Sequence, residues 1–161
     1  MIVLVTGPSG SGKTRFCEEQ IQRHGDVAGI LCPGEEIDHE RVRILARTLP
    51  GEETRVLASR RTLGEVTLAT PRWSFDPETV AWADTHLASI GKTDLLVVDE
   101  LGPLEFKRGE GFVSAFPLLD RGAFRLALVV VRPSLVDVAL VRWPEAQVYD
   151  VVQGSSPEFV G

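Results

Sequence analysis

Apolar residues along this chain fall into short runs divided by polar, helix-patterned stretches, and the runs predict the elements. Leu95 to Val98 and Leu126 to Val131 are continuous rather than alternating, as expected of parallel strands buried on both faces. Met1 to Val5 and Val27 to Cys32 read as two further strands, the second closed by a turn at Pro33-Gly34. Between them, Phe16, Ile21 and the aliphatic parts of Gln20 and Arg23 line one side of a helix that ends before Gly25, a glycine placed for the C-terminal cap. From Arg43 to Arg61, two β-prone segments flank Leu49-Pro50-Gly51-Glu52 and predict an antiparallel hairpin projecting from the main sheet.

Asp76-Pro77-Glu78 is a helix start, with an N-cap acid, proline at the first helical position and another acid in the first turn. Val80, Ala83, Leu87 and Ile90 then share a face, and Gly91 ends the helix. Pro133 to Val141 predicts a short helix, Gln147 to Val151 a last strand, and Ser155 to Gly161 a loose tail. Strands alternating with helices give an α/β fold: a mainly parallel sheet, helices on both faces and a small antiparallel hairpin insertion. In such a sheet the ligand belongs at the carboxyl ends of the strands.

A chain of 161 residues suits one domain, 1–161, with a sizeable core. The net charge of −6 is spread among interspersed acids and bases, so nucleic acid is not expected as the main ligand. Cys17 and Cys32 lack the spacing of a zinc site or a disulfide framework. The N-terminal apolar run is too short for a signal peptide or a membrane span. These readings predict a cytoplasmic protein with no membrane partner. His24, His39 and His86 stand alone, which favours surface or capping roles over metal binding.

The candidate chemistry begins directly after the first strand. Gly7-Pro8-Ser9-Gly10-Ser11-Gly12-Lys13-Thr14 fits the phosphate-binding loop G-x-x-x-x-G-K-[ST] without a mismatch. A glycine-rich turn can wrap its backbone N–H groups around α- and β-phosphates where a Cβ would block the approach. Pro8 has no N–H, so the donors must come from Gly10 onward. Lys13 is expected at the β/γ-phosphates and Thr14 on Mg²⁺, with the positive end of the helix starting near Gly12 facing the same anion.

Asp99-Glu100 closes the run Leu95 to Val98, a Walker B pattern with an extra acid. Alone, such a pair would default to helix capping; beside an intact phosphate loop it reads as catalytic. Asp99 would hold Mg²⁺ directly or through water, and Glu100 would orient the attacking water. Arg132 ends the next buried run. Two readings stand for it: a γ-phosphate sensor, if its strand lies between the other two, or a strand-end arginine paired with a surface acid.

The two motifs, GPSGSGKT and DELGPLE, resemble a small nucleoside-triphosphatase family known from thermophiles and, in animals, as cancer-related nucleoside-triphosphatase. Asp99-Glu100-Leu101-Gly102-Pro103-Leu104-Glu105 carries the most specific part of the likeness, with weaker echoes at Gly29-Ile30-Leu31, Arg72-Trp73 and Leu126 to Val151. The resemblance implies a P-loop NTPase fold and slow hydrolysis of ATP, GTP and other nucleoside triphosphates. It assigns phosphates to Gly7 to Thr14, the metal to Asp99 and water to Glu100. Cys32-Pro33-Gly34-Glu35-Glu36 departs from the family pattern, which has a Thr or Ser and a Glu soon after the second strand.

Two other functions compete. A nucleotide or small-molecule kinase uses the same loop, but such kinases carry an arginine-rich lid, and the candidate here, Lys107-Arg108-Gly109-Glu110-Gly111, has only two basic residues. A nucleotide-dependent switch or adaptor is the other. For base stacking the candidates are Trp73, Trp143 and Tyr149.

Overall fold

The computed structural model describes residues 1–51, 53–60 and 73–154 and the backbone of 68–69. Arg61 and Glu52 of the expected hairpin, Arg72 and the tail from Ser155 lie outside the described residues.

One sheet runs through the described chain in the order β10-β1-β9-β8-β2-β4-β5-β7-β6, with β3 paired to β4. Its parallel half contains β1 (Ile2–Thr6), β2 (Val27–Leu31), β8 (Thr93–Val98), β9 (Phe124–Val130) and β10 (Gln147–Asp150). Its antiparallel half contains β3 (Gly34–Ile37), β4 (Glu40–Leu49), β5 (Thr54–Arg60), β6 (Leu68–Ala69) and β7 (Trp73–Phe75). The run at Leu126 therefore does lie between the strand before the phosphate loop and the strand before Asp99-Glu100.

The unbroken apolar runs follow from cover on both faces. Leu95 and Val97 point to a core built with Phe16 and Cys17 of α1 (Lys13–Gln22). Leu96 and Val98 point to the opposite core, with Val80, Ala83 and Leu87 of α2 (Pro77–Ala88) and Ala115, Leu118 and Leu119 of α4 (Ala115–Arg121). All four strand residues are fully buried, so neither face has room for a polar position. On the second face, α5 (Val136–Arg142), which follows a 3₁₀ turn at Pro133–Leu135, adds Ala139.

Two expectations change. The hairpin does not project: β4 pairs antiparallel with β2, Gly29 opposite Leu49, so the insertion extends the main sheet. Gly25 does not cap α1, which ends at Gln22 with the Arg23 and His24 N–H groups on the Gln20 and Ile21 carbonyls. Tightening the last turn satisfies those acceptors without a left-handed residue. The start of α2 is as expected, with the Asp76 carboxylate accepting the Glu78 N–H at 3.0 Å.

Candidate active site

The phosphate loop leaves β1 and turns into α1. Gly10 and Gly12 have φ of +75° and +97°, in the left-handed region that glycine occupies without strain. The Ser11 N–H closes the turn on the Pro8 carbonyl at 3.1 Å. The Lys13 ammonium folds forward along the loop and donates to the carbonyls of Gly7 at 2.6 Å and Pro8 at 3.1 Å. Burial lowers its pKa, opposed by the charges of Glu100 and Asp99.

Asp99 sits one residue past β8 and is 3 % exposed. Its own N–H donates to the Ile30 carbonyl at 3.1 Å, and the Leu101 N–H donates to the Val130 carbonyl at 3.0 Å. The acid pair is thus clamped between β2 and β9 at the carboxyl ends of the strands; the peptide bond that joins it is cis. Asp99 Oδ2 accepts the Thr14 hydroxyl at 2.8 Å and the Cys32 N–H at 3.0 Å. Burial nevertheless raises its pKa to about 7, because the two hydrogen bonds only partly offset desolvation.

Thr14 and Asp99 form an oxygen pair that fits a hard divalent cation. A threonine hydroxyl that gives its hydrogen to Asp99 keeps lone pairs for a metal, and a carboxylate held in a dry site gains most from a positive charge. No cluster of three or more His, Cys, Asp or Glu residues suited to a metal occurs among the described residues. The remaining ligands of a cation here would be phosphate oxygens and water, as Mg²⁺ prefers.

Glu100 is more open, its side chain 34 % exposed, and Oε1 meets the Arg132 guanidinium at 3.3 Å. Arg132 therefore does pair with an acid, but that acid belongs to the site. Gly102 lies against both: a Cβ there would be 3.4 Å from Glu100 Oε1 and 3.8 Å from Arg132 Nη2.

Glu105, an element of the DELGPLE motif, is buried and structural. Oε1 accepts the Gly102 N–H at 2.7 Å, and Oε2 accepts the Phe112 N–H at 2.9 Å. It ties the turn after Glu100 to the segment beyond α3 (Pro103–Arg108). The motif alone pointed to this residue but not to its role, since Phe112 lies seven positions away. In the segment weighed as a kinase lid, Lys107 and Arg108 complete α3, and Gly109, at φ +63°, ends it.

Of the aromatic candidates, Trp143 is buried against Phe106 and Phe116 and donates its indole N–H to Asp120 at 2.8 Å. Tyr149 packs on Phe16 at 4.8 Å between ring centroids. Trp73 instead borders a cleft of about 200 Å³ beside Ser9 and Gly10. A larger cavity of about 390 Å³, lined in part by Phe106, Phe116 and Val141, touches no phosphate-loop residue. Burial pushes the thiols of Cys17 and Cys32 well above their usual range, with the charge of Asp99 adding to it, which leaves neither as a nucleophile.

Residues 2–151 match the family model described as NTPase. The chain belongs to this nucleoside-triphosphatase family. It is 30% identical over 142 residues to nucleoside-triphosphatase THEP1 of Hyperthermus butylicus, covering 84% of this chain and 73% of that relative. The solution structure of a human cancer-related nucleoside triphosphatase superposes with a TM-score of 0.67 at 17% identity, over 92% of this chain and 87% of the other. The crystal structure of THEP1 from the hyperthermophile Aquifex aeolicus gives a TM-score of 0.60 at 13% identity, over 94% and 90%. At such identities the two structures speak for the fold, and it is the P-loop NTPase arrangement expected from the sequence. Membership also favours the hydrolase over the kinase and switch readings. Among the described residues no helix is long and apolar enough to cross a membrane.

Proposed function

We propose that the chain is a single-domain, Mg²⁺-dependent hydrolase of nucleoside triphosphates such as ATP or GTP, with Gly7 to Thr14 as the phosphate cradle. Lys13 and the N-terminus of α1 bind the β- and γ-phosphates, and Thr14 with Asp99 holds the cation. When bound, the cation would neutralise phosphate charge at this site. Glu100 orients water in line with the γ-phosphorus and receives its proton. The new bond joins the water oxygen to the γ-phosphorus, while the bond from that phosphorus to the bridging oxygen breaks. The electron pair leaves with the nucleoside diphosphate, and the proton passes from Glu100 to solvent. Arg132 orients Glu100 and meets charge that develops on the γ-phosphoryl group.

The observation that carries this reading is the 2.8 Å bond from Thr14 to Asp99 across the sheet, which joins the phosphate loop to the acid pair. It is tested by a nucleotide screen for phosphate release with Mg²⁺, with and without hydroxyl and phosphate acceptors. Release that needs no acceptor is expected. Turnover seen only with an acceptor would make the chain a kinase.

A further inference from the structure

The antiparallel half of the sheet brings side chains back to the phosphate loop. Glu36 of β3, His39, Arg41 of β4, Arg60 of β5 and Trp73 of β7 line the cleft of about 200 Å³ together with Ser9 and Gly10. The Lys13 ammonium rests on the Gly7 and Pro8 carbonyls, so the residues that follow, Ser9 and Gly10, border the end of the loop that receives the terminal phosphate.

Of the two arginines lining the cleft, Arg60 is held by Glu40 at 2.8 Å. Arg41 is exposed and has no ion-pair partner among the described residues, although Glu36 stands opposite it in the β3–β4 register. Its neighbour along the strand, Arg43, is engaged by Glu35 at 3.4 Å. The Arg41 guanidinium lies where a side chain at position 34 would begin: a Cβ on Gly34 would meet Arg41 Nε, Cδ and Cζ first. Glycine at 34 therefore leaves free the space that the guanidinium occupies. After burial, Glu100 and Asp99, the charges acting on Lys13 are Arg132 and then Arg41, which puts both arginines within electrostatic reach of one ammonium.

We propose that Arg41 is a built-in γ-phosphate arginine, turning from Gly34 across the cleft to donate to the terminal phosphoryl oxygens of the triphosphate held by Gly7 to Thr14. A planar guanidinium suits this task because its fork matches two phosphoryl oxygens at once. Charge on those oxygens is redistributed as the bond to the bridging oxygen breaks, and a fixed cation there stabilises the transition state more than the ground state. Arg41 reaches the phosphate from the β4 side and Arg132 from the β9 side. The assignment rests on the hydrolase reading above and adds the residue that distinguishes triphosphate from diphosphate.

The test uses Arg41→Ala and Arg41→Lys, with Arg43→Ala as the control. Equilibrium binding of ATP and ADP with Mg²⁺ is measured beside single-turnover phosphate release. Arg41→Ala is expected to lose roughly 10-fold in ATP affinity with ADP affinity nearly unchanged, and on the order of 10²-fold or more in the release rate. Arg41→Lys should recover part of the affinity and little of the rate, since an ammonium lacks the fork. An ATP-to-ADP affinity ratio equal to that of wild type in Arg41→Ala overturns the assignment. Failure of wild type to release phosphate without an acceptor, with the ratio still lowered in Arg41→Ala, would remove the hydrolase reading and leave Arg41 on the γ-phosphate.

Discussion

Glu100 and Glu105 stand five residues apart and are put to different uses by their surroundings. Glu100 is partly open and faces Arg132; Glu105 is 8 % exposed and accepts two backbone N–H groups. Burial raises the Glu105 pKa to about 7 from 4.5, outweighing the hydrogen bonds from Gly102 and Phe112. A raised carboxyl pKa means that the folded state binds more protons than the unfolded one between those two values. Its favourable contribution is therefore complete below pH 4.5 and lost as pH rises through 7, a change of about 3 kcal/mol at most. Asp99 titrates in the same direction in metal-free protein. Urea denaturation of metal-free protein at pH 5 and pH 8 should show lower stability at pH 8, and Glu105→Gln should flatten that dependence. An unchanged pH slope in the variant would contradict the assignment of a costly buried charge. At this scale the sequence was informative wherever chemistry is local: Lys13, Thr14 and Asp99 were named from two contiguous motifs. It was uninformative about Glu105 and Arg41, whose roles depend on partners brought together by folding.

Among the elements, β2 explains how a parallel sheet accepts an antiparallel extension. It pairs with β8 along one edge and with β4 along the other, and Gly29 is at the middle of it. Gly29 has φ +132°, and a Cβ there would be driven into the Val97 carbonyl. A backbone atom cannot rotate aside as a side chain can. Gly29→Ala should therefore cost roughly 2–5 kcal/mol, combining a strained dihedral with overpacking. Chemical denaturation gives the value, and a loss under about 1 kcal/mol, the ordinary scale for a mild substitution, would contradict this account of the β2–β8 contact. The apolar runs and the Asp76-Pro77-Glu78 cap made the central strands and α2 legible, because their signals are local. The short helices α3 and α4 carried too few turns for a periodic pattern, and β3 is four mostly exposed residues. The hairpin was legible but its attachment was not, since the pairing of Gly29 with Leu49 is a non-local choice.

Across the whole molecule, the decisive feature is the order β1-β9-β8-β2. It sets the phosphate loop, Arg132 and the acid pair at successive carboxyl ends, with β9 as the spacer between loop and acids. That spacing lets Thr14 meet Asp99 at 2.8 Å while Glu100 projects toward Arg132. From sequence the place of the Arg132 strand is only a condition on one of its readings; hydrogen bonding between β9 and both neighbours makes it a fact of this chain. On the proposed mechanism, this arrangement aims Glu100 at water beside the γ-phosphate and leaves the phosphates themselves to other residues. Glu100→Gln keeps the shape and reach of the side chain but removes its capacity to take the proton. The direct measurement is single-turnover phosphate release by this variant beside its equilibrium affinity for the same triphosphate with Mg²⁺. Near-normal affinity is expected, with a release rate lower by on the order of 10²-fold or more. Release at the wild-type rate would contradict the mechanism.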